Sequence, residues 1–122
     1  MRSGESMGLE AEVLHSISEV NRNSWNNIVE QSRLGWLFHR YEWLKAIEEG
    51  IGLKPRHIVV YDERGNIVGV MPNFIVNILK TPFKRLVSIS PGYGGPLIIS
   101  HEEKSLTKIL EEAGKICHLS LI

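Results

Sequence analysis

Apolar positions along this chain switch between a period of two and a period near 3.6, and the switches mark its elements. Residues 12–17 alternate loosely between polar and apolar and predict a first strand. Trp25, Ile28 and Val29 then share one face of a short helix that Asn23 or Ser24 can cap. Gly35 interrupts. Trp43, Leu44 and Ile47 form the apolar stripe of a second helix from about residue 40 to 49, and Gly50 stands where a left-handed C-terminal cap is expected. Trp25 and Trp43 are expected to pack on a sheet as core aromatics.

That sheet is expected over residues 57–96. His57 to Tyr61 and Ile67 to Met71 are β-branched runs, and the loop between them, Asp62-Glu63-Arg64-Gly65-Asn66, is a hairpin signal. Both runs are almost continuously apolar, so both faces of the sheet should be covered and helices are needed on both sides. Pro72 cannot donate to a ladder, which predicts a bulge or register break there. Two further apolar segments, 74–79 and 86–89, complete an antiparallel meander, and the chain then enters Ser90-Pro91-Gly92-Tyr93-Gly94-Gly95-Pro96. Beyond it, Ser100 with Glu103 matches a capping box opening a helix whose buried stripe is Leu106, Ile109, Leu110 and Ala113. Residues 116–122 suggest a turn and a last strand, hence a right-handed crossover and a parallel pair. A strand at 119–122 implies either that more chain follows or that it pairs with a second copy or another subunit. The fold class is thus α/β (α+β), a mixed, mainly antiparallel sheet with helices on both faces. It forms one domain over residues 11–122 behind a disordered tail at 1–10, where Met7 is a possible second start.

Composition narrows the function classes. With 14 basic and 14 acidic residues the net charge is zero, so nucleic acid is not expected as the main partner, because such domains carry a basic excess. Cys117 is alone, which rules out an internal disulfide and makes a reducing, cytoplasmic location the default. Residues 1–8 have no apolar core for a secretory signal, and no run reaches the roughly 20 apolar residues of a membrane span.

Candidate chemistry is concentrated in one loop. In Pro91-Gly92-Tyr93-Gly94-Gly95-Pro96 the glycines let backbone N–H groups approach an anion or a carbonyl oxygen, as oxyanion holes require. A tight turn between sheet and helix is the equal alternative, since the spacing fits neither standard nucleotide motif. The five histidines, His15, His39, His57, His101 and His118, show no metal-ligand spacing, and no Ser/His/Asp grouping is legible. The pairs Glu48-Glu49, Glu102-Glu103 and Glu111-Glu112 are expected on solvated helix surface. Lys80, Lys84 and Arg85 around Pro82 form a basic turn, either a phosphate contact or a solvated hairpin tip.

The order of these segments is itself informative. Trp25, then Phe38-His39-Arg40-Tyr41-Glu42-Trp43-Leu44, then Asn66-Ile67-Val68-Gly69-Val70-Met71-Pro72, then Tyr93-Gly94-Gly95-Pro96 resembles the N-terminal part of FemAB-like proteins of the GNAT (acyl-CoA N-acyltransferase) superfamily, over residues 12–122. The resemblance implies a GNAT-like N-terminal half and a transferase in which an acceptor amine attacks an acyl thioester or an aminoacyl-tRNA ester. It implies substrate contacts from Tyr93, Gly94 and Gly95, with Trp36, Phe38 and Tyr41 near the cleft mouth. The Arg/Gln-x-x-Gly-x-Gly/Ala loop that holds coenzyme A in that superfamily is missing from this sequence. The chain is therefore expected to bind no cofactor itself, with acyl-CoA or aminoacyl-tRNA as donor only in a longer protein, and to supply acceptor surface without catalysing alone. Transfer RNA is the one nucleic acid this leaves open. The alternative is a non-catalytic binding or assembly module that completes its sheet by oligomerising through the C-terminal strand.

Overall fold

The computed structural model describes residues 8–32, 35, 37–77, 84–88, 96–98 and 102–121. In chain order these form β1 (Glu10–Leu14), α1 (Arg22–Gln31), α2 (Tyr41–Gly50), β2 (Lys54–Pro55), β3 (His57–Tyr61), β4 (Ile67–Met71), β5 (Asn73–Asn77), β6 (Lys84–Ser88), β7 (Leu97–Ile98) and α3 (Glu102–Leu121). Single 3-10 turns lie at Ile17–Glu19 and Leu37–His39. The class is the expected mixed α+β, and every described strand pair is antiparallel.

Helices cover both faces of the central hairpin for the reason its sequence suggests. Val59 and Val70 look toward α1 and α2, joining Trp25, Leu44 and Phe74, while Ile58, Val60 and Val68 look toward α3, joining Ile109 and Ile116. Alternate residues of one strand thus feed two cores, which removes any polar face and makes the runs continuously apolar. The hairpin closes through Asp62, whose Oδ1 accepts the N–H groups of Arg64 and Asn66 at 2.9 Å each, with Gly65 at φ +83°. Only glycine takes that left-handed conformation without strain.

The meander is not one sheet. Strands β1-β3-β4-β7 form a four-stranded sheet and β2-β5-β6 a three-stranded one. A single two-stranded ribbon runs through both, for Lys54 opposes Ile75, Pro55 opposes Phe74 and Ile58 opposes Met71 in one unbroken register. That register sets His57 opposite Pro72, and there the ladder is rebuilt from side chains. Arg56 N donates to Asn73 O at 2.9 Å, but the Asn73 N–H donates to His57 Nδ1 at 3.0 Å, and Asn73 Nδ2 reaches the Arg56 and Met71 carbonyls at 3.3 and 3.4 Å. The break expected at Pro72 is thus a change of sheet. The β-bulge lies elsewhere: the β3–β4 register shifts between Val60 and Tyr61, leaving Val68 extra. Val68 and Gly69 consequently both face α3, and a Cβ on Gly69 would stand 3.4 Å from Ile98 Cγ1 and 3.6 Å from Ile109 Cδ1.

Several boundaries and one element differ from expectation. β1 begins at Glu10 and Leu9 is buried, so the domain starts inside the expected tail, while Ile17 belongs to a 3-10 turn. The α1 cap is Asn21, whose side chain accepts from Ser24 N. Gly50 is still helical; the left-handed residue is Gly52, two positions on. β5 and β6 begin earlier than expected, at Asn73 and Lys84, residues 78, 79 and 89 lie outside the described residues, and the described parts of the basic cluster, Lys84 and Arg85, lie in β6. β7 is an unforeseen short strand beside β4.

The largest correction is at the C-terminal end: residues 116–121 continue α3, so there is no last strand, no parallel crossover and no strand edge at 119–121. Ile109, Ala113 and Ile116 keep one helical stripe on the α3-facing core, and that burial outweighs the β-branched composition. Gly114 faces open space, where glycine costs only about 1 kcal/mol against alanine and does not end the helix. The stripe itself is turned: Ser105, Ile109 and Ile116 are buried, whereas Leu106 is 37% and Leu110 58% exposed. Ile109→Ala should therefore destabilise by roughly 2–5 kcal/mol in urea unfolding, and Leu110→Ala by no more than about 0.5 kcal/mol.

Candidate functional site

A cleft with a volume of about 390 Å³ lies between α1 and the β3–β4 hairpin. Its helical wall is set by spacing: Ser24, Asn27 and Gln31 fall at i, i+3 and i+7, a stripe of α1 beside the buried one of Trp25, Ile28 and Val29. Tyr61 and Ile67 form the facing wall, and Glu19 stands at the rim. The Tyr61 hydroxyl donates to Glu12 Oε1 at 3.2 Å, which ties the ring to β1. Burial first, then the Glu12 carboxylate, push the Tyr61 phenol above its ordinary range, so it stays protonated. Glu19 Oε1 accepts the His15 N–H at 3.1 Å, which orients its carboxylate.

Electrostatically this lining is unusual for a protein surface. Among the described lining residues none is cationic and Glu19 is the one charged group. Side-chain amides supply both donors and acceptors, while Val20, Ile28 and Ile67 supply apolar contact. Such a cleft suits a neutral polar group or a single cation and is poorly matched to phosphate, which needs Lys, Arg or converging N–H groups. Among the described lining residues no nucleophile is paired with a base.

The helix forming this wall is held by its other side. Trp25 Nε1 donates to the His39 carbonyl at 2.7 Å in the core. Asn26, buried, accepts the Tyr41 N–H on Oδ1 at 2.8 Å and donates from Nδ2 to Glu42 at 3.1 Å. It thereby caps α2 from another helix, because the cap residue Arg40 makes no side-chain cap bond. Glu42's own backbone N–H, then Asn26, hold the Glu42 carboxyl below its ordinary range. Arg40 bridges Glu30 and Glu42 at 3.1 and 3.6 Å on a charge-balanced open surface. Glu48, expected on solvated surface, instead accepts Ser16 Oγ at 2.6 Å and Ile17 N at 3.0 Å and ties α2 to the turn after β1.

Of the residues expected at a site, Trp36, Tyr93, Gly94 and Gly95 lie outside the described residues. Phe38 and Tyr41 pack half-buried on the core beneath α1 and α2, Phe38 meeting Trp43 edge-on at 4.6 Å, and neither lines the cleft. Of the residues that do line it, Ser24, Ile28, Tyr61, Gly65, Asn66 and Ile67 were read in the sequence as cap, core and hairpin and not as a site, while the uncharged Ser24, Asn27 and Gln31 stripe was there to be seen. Asn26→Ala should cost about 1–3 kcal/mol in urea unfolding, since it leaves the Tyr41 N–H unpaired. Asn26→Asp should not restore stability, because a second carboxylate would face Glu42. Comparison of this chain with family models, with curated proteins and with solved structures returns no match.

Proposed function

We propose that this chain is the N-terminal part of an N-acyl or aminoacyl transferase of the FemAB-like kind, supplying acceptor-binding surface and fold core. The observation that carries the reading is the cleft beside α1, whose amide lining and single carboxylate suit an amine-bearing acceptor. An ammonium group would meet Glu19 at the rim, with Tyr61 and the α1 amides holding what surrounds it. The order of segments in the chain and the mainly antiparallel sheet with helices on both faces also support it.

In the reaction, the deprotonated amine attacks the acyl carbonyl, a C–N bond forms, the C–S or C–O bond to the donor breaks, and the amine proton passes to a base. The donor, acyl-CoA or aminoacyl-tRNA, is rich in phosphate and belongs outside this cleft. Tyr93, Gly94 and Gly95 are the proposed substrate contacts of the glycine-rich loop, with backbone N–H groups for the oxyanion, and Trp36 is proposed near the cleft mouth. The chain so described works in a reducing, cytoplasmic setting and does not catalyse alone; no described helix is long and apolar enough to cross a membrane.

An NMR titration of the chain with Nα-acetyl-lysine amide and, separately, with coenzyme A tests this. The lysine amide should shift the side-chain amide signals of Asn27 and Gln31, and Glu19→Gln should weaken that response about two- to fivefold. Coenzyme A acting on these signals while the amine does not would overturn the reading.

An assembly module is the second reading, favoured by the exposed Leu106 and Leu110 on α3. Its original route, a strand at 119–122, is gone because residues 119–121 are helical. Size-exclusion chromatography separates the two: a dimer that Leu110→Lys converts to a monomer supports assembly, and a monomer at every concentration supports the transferase fragment.

A further inference from the structure

We propose that the joint at His57 and Asn73 is a proton-operated hinge, at which uptake of one proton frees β2 and β5 from their alignment with the β3–β4 hairpin. Arg56 and Asn73 face each other across the ribbon, and Arg56 N donates to Asn73 O at 2.9 Å, but the return bond from the Asn73 N–H goes to a side chain in place of the Arg56 carbonyl. The crossing depends on the Nδ1 lone pair of His57, which accepts the Asn73 N–H at 3.0 Å. An imidazole that accepts at Nδ1 carries its proton on Nε2. A second proton would go to Nδ1, where N–H would face N–H and the bond would become a repulsion. The remaining side-chain links, from Asn73 Nδ2 at 3.3 and 3.4 Å, are long ones.

Among the described residues no charged group contributes to the titration of this ring. Trp25 packs on it from α1 at 5.8 Å between ring centroids, and Phe74 from β5 at 5.1 Å with the rings perpendicular. Leu14 lies opposite in the ladder from β1. None of these residues ionises, and Nε2 is buried with no hydrogen-bond partner. The neighbouring charge on the same stretch, Arg56, donates its Nη1 to the Pro55 carbonyl and adds no negative partner. Burial alone accordingly pushes the His57 pKa down to about 3.

The sign follows from linkage. Above the ordinary histidine value both closed and open joints hold a neutral ring, and opening does not depend on pH. Below it, down to about pH 3, only the open joint binds the extra proton, so the open population rises about tenfold for each pH unit. The device is independent of the proposed transferase role.

Amide hydrogen exchange of the whole chain by NMR, corrected for intrinsic rates, tests the hinge. Between about pH 7 and about pH 5 the Lys54 amide of β2 and the amides of β5 should lose protection by one to two orders of magnitude, while those of β3 and β4 change far less. Equal loss in all four strands, or loss in none, would overturn it. In His57→Gln, whose side-chain carbonyl still accepts but does not titrate, protection of β2 and β5 should be flat across the same range. If that variant does not fold, the 15N shifts of the wild-type ring decide: they should report a neutral Nε2–H ring throughout the closed state, and a ring that protonates while β5 stays protected sinks the proposal.

Discussion

One acceptor, the Nδ1 lone pair of His57, takes the Asn73 N–H where the two-stranded ribbon passes from one sheet to the other beside Pro72. The ribbon keeps a single register from Lys54 opposite Ile75 to Ile58 opposite Met71, so both sheets inherit their alignment from this point. On one side of it the ribbon recruits β1 and β7, on the other β6. The orientation of α1 depends on it too, since Trp25 packs against the imidazole that makes the bond. A neutral histidine is needed there because only the neutral ring both accepts and survives burial. Its buried Nε2–H has no partner, and that desolvation is offset by aromatic packing on two sides.

The helices are fastened by a different device, side chains that satisfy the backbone of another element. Asn26 caps α2, Trp25 Nε1 takes the His39 carbonyl, and Glu48 takes the Ile17 N–H. Each bond removes an unpaired buried or half-buried group, and each also sets an angle between elements. Because α1 is fixed on its inner side by these contacts, its outer side can carry Ser24, Asn27 and Gln31 without structural work. That separation is what leaves a formed cleft, walled by the helix and by a Tyr61 ring anchored on Glu12.

Much of the architecture was legible in residue order. The two helices ahead of the sheet, the hairpin at Asp62 to Asn66, the coverage of both faces and the core role of Trp25 follow from periodicity and turn chemistry that act locally. The cleft was not legible, because its walls come from residues roughly 40 positions apart in chain whose adjacency no local pattern encodes. The weight placed on Phe38 and Tyr41 reflects their aromatic character, which packing used for the core.

Local signals in the sequence therefore determined which segments are helical or extended near their centres and that the central strands are buried on both sides, since apolar period and glycine or asparagine turns act over a few residues. Tertiary structure alone decided that the ribbon splits into two sheets at Pro72, that α3 runs on to Leu121, and that Ser105 and not Leu106 faces the sheet. In each case two local choices were close in energy, and contact with a distant surface selected between them: an imidazole for a missing carbonyl partner, and a sheet face wide enough for one stripe of α3 but not for two.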